Sequence, residues 1–210
     1  MKLTHLLHST VLVETGQVRL LIDPGNYSTA WHDLTDLDAI VITHAHPDHV
    51  DPAWVPALLA RNPQAIVLAE PGVLAQVDLP GASAWPAGSE RRLGDVVIAG
   101  VGGWHAVIHR DIPRIGNVGC LITTPGGPSF FHPGDALDTV PPGVDVAAIP
   151  AHAPWCAMKE IIDYTRALGA AQGFLIHEGL VNERGVALAF SRLNELTATR
   201  MTGMADPLTV

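Results

Sequence analysis

Thr43-His44-Ala45-His46-Pro47-Asp48-His49 sets three imidazoles and a carboxylate within six positions, a density that is awkward anywhere except around cations. A chain with 11 His and 14 Asp in 210 residues should show His-x-His-x-Asp-His about 0.002 times by chance, so the run reads as a metal-binding loop and not as a merely polar turn. Directly before it, Asp38-Ala39-Ile40-Val41-Ile42-Thr43 is short, apolar and β-rich, the pattern of a buried strand that delivers the histidines at its end. His44 and His46, two apart, point the same way if extended. A turn after Pro47 swings Asp48 and His49 toward a second position, so the spacing suits two adjacent metals.

Working outward, residues 3–8, 10–14 and 17–22 read as strands, the last two joined as a hairpin through Thr15-Gly16, and Asp23-Pro24-Gly25 stops the third. After the loop, 52–61 is predicted as a helix with Asp51 as N-cap, 65–69 as a strand and 71–77 as a short helix. A second strand-rich batch follows at 91–93, 96–101, 118–123, 129–132 and 145–149. Then come a helix over 159–168 that stops at Gly169, a strand over 173–176 and a last helix over about 186–197. Two comparable batches of strands, each with helices, predict an α/β (α+β) protein in which two sheets pack together with helices outside, a four-layer αββα sandwich. The length suits one domain over 1–200, with 201–210 as a C-terminal tail that lacks a period and is expected to fray.

The formal charge of −9, with only 12 Lys and Arg, argues against nucleic acid as a partner. No apolar run approaches the roughly 18 residues of a membrane span, and the first residues enter a strand pattern with no signal-like apolar segment, so the expectation is a cytoplasmic protein with no membrane partner. Cys120 and Cys156 form no CxxC pair and are expected to be free thiols. Oligomeric state is open, a homo-oligomer included.

The other ligand candidates are sorted by position, since a ligand should close a strand beside small residues that let the chain bend. His105 follows Gly102-Gly103-Trp104, Asp135 ends Phe131-His132-Pro133-Gly134-Asp135, and His177 ends Phe174-Leu175-Ile176-His177 before Glu178-Gly179. The assignment is then His44, His46 and His105 for one ion and Asp48, His49 and His177 for a second, with Asp135 bridging both and room left for a shared water. His109 is the rival of His105; it either contacts substrate from above the pocket or is a solvated loop histidine. His8, His132 and His152 lie near strand ends adjoining the site, where they either contact the ligands or are ordinary structural histidines. Trp31, Trp104 and Trp155 are candidate pocket walls, although core or rim packing is the commoner fate of Trp. Arg110 and Arg114 read as solvated arginines or as contacts for an anionic group.

In these motifs the chain resembles the metallo-β-lactamase-fold hydrolase superfamily, whose successive motifs are matched by Asp23, the 44–49 loop, His105, Asp135 and His177. Leu21-Ile22-Asp23-Pro24-Gly25, the His-Pro-Gly-Asp run and the absence of an added domain resemble most its small single-domain, L-ascorbate-6-phosphate-lactonase-like members. The resemblance implies a hydrolase with two divalent metal ions, usually zinc, with manganese or iron in some members. It also implies that Asp23 hydrogen-bonds the metal loop from behind. The expected chemistry is attack by a metal-activated water on a small ester, lactone or phosphoester, with Asp48 orienting the nucleophile or shuttling its proton as well as touching a metal. The alternative is an iron-binding redox or oxygen-handling protein on the same fold. Its diiron relatives replace a loop histidine by glutamate and carry a flavin domain, which His46 and the short length argue against. A nuclease of this fold needs a basic arm or inserted domain, a glutathione-thioester hydrolase a C-terminal helical extension, and a secreted β-lactamase an export signal; none is visible in the sequence.

Overall fold

Strands buried on both faces set the architecture. The computed structural model describes residues 1–203 and 205–210. In chain order its elements are β1 (Lys2–His5), β2 (Val11–Thr15), β3 (Val18–Ile22), β4 (Ala39–Ile42), α1 (Val55–Arg61), β5 (Ile66–Ala69), α2 (Pro71–Leu74), β6 (Ser83–Ala84) and β7 (Glu90–Leu93). They continue with β8 (Val96–Trp104), β9 (Gly116–Thr123), β10 (Phe130–His132), β11 (Val146–Pro150), α3 (Met158–Leu168), β12 (Gln172–Ile176), α4 (Glu183–Leu196), β13 (Arg200–Met201) and β14 (Leu208–Thr209). Two seven-stranded sheets result, in the orders β14-β1-β2-β3-β4-β5-β6 and β13-β12-β11-β10-β9-β8-β7.

Residue parity shows the layers. Leu20, Ile22, Ala39 and Val41 of the first sheet meet Ile98, Cys120, Phe130, Ala148, Phe174 and Ile176 of the second in one buried cluster between the sheets. Their neighbours point the other way: Leu21, Ile40 and Ile42 pack on Val55 and Leu58 of α1, and Ala147, Ile149 and Leu175 pack on Ile161, Tyr164, Leu168 and Leu193 of α3 and α4. This is the expected αββα sandwich, and the apolar runs are continuous because each central strand has a covered side in both directions.

Three local expectations shift. The helix predicted from residue 52 begins at Val55, because the Asp51 side chain accepts from Ala53 N at 2.9 Å and its carbonyl accepts from Val55 N at 2.9 Å, closing a separate turn first. The last helix begins earlier, at Glu183, because Asn182 caps it by accepting from Arg184 N and Gly185 N, both at 3.1 Å. The 201–210 segment, expected to fray, supplies Met201 to β13 and all of β14, which pairs antiparallel with β1, and Val210 N donates to Met1 O at 2.9 Å. Met204 lies outside the described residues.

Strand direction places the site. β1 and β3 run the same way, since each is antiparallel to β2, and β4 is parallel to β3. In the other sheet β8 and β10 run the same way across β9, and β12 follows β10 through parallel β11. The C-terminal ends of these strands lead to His8, Asp23, His44, His105, Asp135 and His177. The sheets are stitched at that end by Val118 N to Thr43 O at 2.9 Å and His177 N to His8 O at 3.1 Å. Residues at the carboxyl ends of such strands are free to face one crevice. Both cysteines are free, and no described helix is long and apolar enough to cross a membrane.

Candidate metal centre

Asp23 is held by the turn that ends β3. Its backbone is left-handed (φ +50°), which Asp tolerates and which folds its fully buried carboxylate back onto the end of β4. There Oδ1 accepts from Thr43 N at 2.8 Å, while Oδ2 accepts from Thr43 Oγ1 at 2.7 Å and lies 2.6 Å from His49 Nδ1. Asp23 therefore grips both ends of the loop from behind, as the resemblance implied. Gly25 lets the loop lie this close: a Cβ there would sit 1.8 Å from the Asp48 carbonyl oxygen.

The imidazole and carboxylate atoms converge in two groups, His44, His46, His105 and Asp135 in one and His8, Asp48, His49 and His177 in the other, each within 4.8 Å. Asp135 joins them. Its Oδ2 is 3.2 Å from His105 Nε2 and 3.9 Å from His44 Nε2, and its Oδ1 is 2.7 Å from His177 Nε2 and 3.0 Å from His49 Nε2. All seven sequence-predicted ligands are thus brought together, and His8 is an eighth member. The sequence leaves His8 as either a contact of the ligands or a structural histidine; its Nε2 is 2.9 Å from Asp48 Oδ2. The signal that finds it is the one used for the others, a histidine closing a strand beside small residues.

Hydrogen bonding around the rim decides what this cluster can hold. His105 Nδ1 donates to the Ala106 carbonyl at 2.7 Å, so in the neutral ring Nε2 is a lone pair facing Asp135 Oδ2, itself an acceptor. His49 Nδ1–H is likewise used by Asp23, which leaves His49 Nε2 facing His177 Nε2 at 3.0 Å and Asp135 Oδ1. His44 Nε2 faces His46 Nδ1 at 3.1 Å. Asp135 Oδ1, His8 Nδ1 and His177 Nδ1 are buried with no hydrogen-bond partner. Acceptors aimed at acceptors in a buried pocket are unfavourable unless a cation or proton lies between them, so the residues fit divalent ions in both groups.

The charges agree. Burial pushes the His49 imidazole down, but the Asp135 and Asp23 carboxylates outweigh it and hold it well above its usual value. Burial and the neighbouring His49 put His44 well below. Burial works against ionised Asp135 too, yet His177, His49 and His44 keep it well below the carboxylate range. Asp48, opposed by burial, is held at about 2 by the His8 hydrogen bond and by His49.

The remaining candidates separate cleanly. His132 is fully buried behind the site, donating from Nε2 to Ser9 O at 2.8 Å and accepting at Nδ1 from Gly134 N at 3.1 Å, so it ties the turn before Asp135 to the other sheet. Burial lowers it to about 4. His109 is exposed in a turn where its Nδ1 accepts from Asp111 N at 3.2 Å, outside both groups. His152 is a correction: it is exposed between buried Ala151 and Ala153, whose inward side chains turn it to solvent, and among the described residues it bonds no member of the cluster. Trp31 is core, its Nε1 donating to Gly25 O at 3.0 Å, and Trp104 is exposed. Trp155, by contrast, donates from Nε1 to Asp135 Oδ2 at 2.9 Å. Arg110 is exposed, whereas Arg114 is tied by Nε to the His105 carbonyl and by Nη2 to Asp138 at 3.0 Å.

Residues 2–172 match the family described as the β-lactamase superfamily domain. Protein Rv0786c of Mycobacterium tuberculosis is 43% identical over 203 residues, covering 95% of this chain and 94% of that protein. A UPF0173 metal-dependent hydrolase of Rhizobium etli is 36% identical over 88 residues, 39% of this chain and 36% of the relative. Among solved structures, the metallo hydrolase Igni18 of Ignicoccus hospitalis superposes with a TM-score of 0.70 at 18% identity, covering 99% of this chain and 97% of that one. The diiron β-hydroxylase CmlA of Streptomyces venezuelae does so with a TM-score of 0.70 at 15% identity, covering all of this chain and 54% of that one. At those identities the likeness to the solved structures is one of fold. The chain belongs to the β-lactamase superfamily and has the metallo-β-lactamase fold, shared with metal-dependent hydrolases.

Proposed function

We propose that the chain hydrolyses a small ester, lactone or phosphoester with two divalent ions, zinc by preference, held by His44, His46, His105 and by Asp48, His49, His177, with Asp135 shared. The observation that carries the reading is the convergence of four imidazole nitrogens on one buried carboxylate, His105 and His44 on Oδ2 of Asp135 and His177 and His49 on its Oδ1. When bound, such ions supply Lewis acidity and a water of lowered pKa. The donor set of imidazole and carboxylate suits zinc without excluding iron or manganese, and CmlA is an instance of this fold in a diiron protein.

The chain's own groups do the rest. Asp48, partly solvent-exposed and held at about 2, stays ionised at neutral pH and offers an acceptor to a water O–H. A carboxylate held that low orients the water and does not store its proton. His8 fixes the Asp48 carboxylate by the 2.9 Å contact of its Nε2, and the His8 backbone is in turn held by its N–H donating to Glu178 Oε1 at 2.6 Å. Trp155 fixes Asp135 from the open side.

The test is metal analysis of the purified chain, chelation and metal return, and a hydrolysis screen across lactones, carboxylic esters and phosphodiesters, with His44→Ala as control. We expect about two equivalents of metal and activity that disappears on chelation, returns with zinc and is lost in His44→Ala. A metal-free protein, or hydrolysis indifferent to chelation, overturns the proposal; a visible absorption band that responds to reductant replaces it with the iron redox reading.

A further inference from the structure

Asp135 is the candidate ligand whose carboxylate faces both groups, so whatever holds its backbone decides whether the groups share it. It lies on no strand but follows the turn at Pro133 and Gly134, beyond the end of β10 at His132. The main-chain groups of such a buried turn need partners, because an amide or carbonyl left without one is costly. Gly134 N donates to His132 Nδ1 at 3.1 Å, and the Asp135 carbonyl accepts from Ala106 N at 2.7 Å. Two further groups of the turn go to one side chain. Asn117, at the start of β9 and only 1% exposed, accepts at Oδ1 from Asp135 N at 2.9 Å and donates from Nδ2 to the Pro133 carbonyl at 2.9 Å.

A primary amide suits that pair of partners. The Asp135 N–H needs an acceptor and the Pro133 carbonyl a donor, and an amide presents both in one rigid plane. Aspartate has no donor for Pro133 and would add charge beside a carboxylate, while alanine offers neither group. The backbone is fitted to the amide as well. Gly134 is left-handed (φ +61°), and a Cβ there would stand 2.2 Å from Asn117 Oδ1 and 2.9 Å from Thr43 Oγ1. Thr43 opens the loop of the other sheet: its hydroxyl donates to Asp23 Oδ2 at 2.7 Å, and its carbonyl accepts from the N–H of Val118, the residue after Asn117, at 2.9 Å. Asn117 thus stands where the 133–135 turn of one sheet meets the 44–49 loop of the other.

Resting on the two-ion reading, we propose that Asn117 is a positioning residue of the metal centre: its amide holds the 133–135 turn against the 44–49 loop, so that the Asp135 carboxylate reaches His44 and His105 on one side and His49 and His177 on the other. Both of its side-chain bonds go to main chain, so it acts through the backbone of Asp135 and not as a ligand. Without the amide the turn relaxes, each group keeps its own histidines, and the carboxylate common to them is lost. The consequence is specific to metal: two ions held less tightly and no longer coupled, on a fold that persists.

The experiment compares the full wild-type chain with Asn117→Ala, Asn117→Asp and Asn62→Ala. Asn62 is the matched control, a buried asparagine at the end of α1 that belongs to neither group. Its Oδ1 accepts from Leu37 N at 3.0 Å, and its Nδ2 donates to the Leu34 and Leu58 carbonyls, both at 2.9 Å. The readouts are urea unfolding, zinc competition against a chelating dye, electron paramagnetic resonance of the manganese-loaded chain, and crystal structures of the metal-free proteins. All three variants should lower the unfolding midpoint. Only the Asn117 variants should weaken zinc, by about 10–100-fold, and exchange the manganese signal of a spin-coupled pair for that of isolated ions. In metal-free Asn117→Ala the Asp135 carboxylate should draw away from His105 or His177, whose Nε2 atoms lie 3.2 and 2.7 Å from it. Asn117→Asp, which keeps the bond from Asp135 N, should shift the same readouts and decides the matter if Asn117→Ala does not fold. Unchanged zinc affinity and manganese coupling in a folded Asn117 variant, or a loss no greater than that of Asn62→Ala, overturns the proposal. A wild type that takes up no metal sinks the two-ion reading instead; the metal-free structures then decide the positioning role, and an unmoved Asp135 carboxylate overturns it.

Discussion

Exchanging Asp23 for Asn should separate metal affinity from stability. The amide oxygen of Asn can keep the bond from Thr43 N, which Asp23 Oδ1 accepts at 2.8 Å. Its NH₂ then occupies the place of Oδ2, facing Thr43 Oγ1 and His49 Nδ1, which lie 2.7 and 2.6 Å from Oδ2. The threonine hydroxyl can rotate and accept. The histidine, charged in the metal-free fold, can accept there only by giving up its Nδ1 proton and keeping the one on Nε2, where Asp135 Oδ1 waits at 3.0 Å. In the metal-free protein this rearrangement keeps each group paired, and the expected loss of stability is about 1 kcal/mol. An ion at His49 Nε2 must reverse it, forcing N–H against N–H at a cost of about 1.5–3 kcal/mol, or roughly 10–150-fold in affinity. Asp23→Ala leaves the buried donors with no acceptor and should cost about 3–5 kcal/mol in the metal-free protein. The assays are urea unfolding of the metal-free variants, zinc competition against a chelating dye, and ¹⁵N histidine spectra to read the His49 tautomer. Wild-type zinc affinity in Asp23→Asn, or a His49 that keeps its Nδ1 proton there, would refute the reasoning.

His8→Gln should weaken the ion at Asp48, His49 and His177 by about 10–100-fold while leaving the His44, His46, His105 ion in place, because it removes the 2.9 Å support of Asp48; metal stoichiometry at limiting zinc checks it, and loss of both ions equally would contradict it. Gly25→Ala should destabilise by about 1–3 kcal/mol or more, measured by urea unfolding, since its Cβ would meet the Asp48 carbonyl at 1.8 Å and the backbone there must move; an unchanged unfolding midpoint would show that the loop yields freely. Zinc affinity should rise from pH 6 to pH 8. His49 is raised in the metal-free fold, so its ion pairing stabilises that state fully below the unfolded value of 6.5 and fades as pH climbs through the raised value. The metal must displace that proton, and competition titrations showing no gain with pH would exclude His49 as a ligand.

Most of the candidate cluster was legible because each of its members obeys a local rule. His44, His46, Asp48 and His49 are contiguous, and His105, Asp135 and His177 each close a strand whose apolar run is visible in the chain. The sandwich was legible for a similar reason, since runs such as Ile40-Val41-Ile42 and Ala147-Ala148-Ile149 are apolar at both parities and so demand cover on both faces. What escaped depends on partners distant in sequence. Asn182 as a cap moved the start of α4. The last residues lack periodicity, yet Leu208 and Thr209 form strand β14 because β1 offers a free edge. His152 also lies near a strand end, and only the alternation of Ala151 and Ala153 into the core turns it outward.

By itself, then, the sequence determined the layer order and the chemical inventory, because strand pattern and donor type are local properties of a chain. Only the tertiary structure decided that His8 stands among the candidate ligands and His109 and His152 do not, that Trp155 braces Asp135 while Trp31 is core, and that Arg114 is spent on Asp138 and the His105 carbonyl. These depend on which strand ends the two sheets bring to one edge, and on which acceptors are already occupied when they meet. Neither is encoded within the reach of a single element.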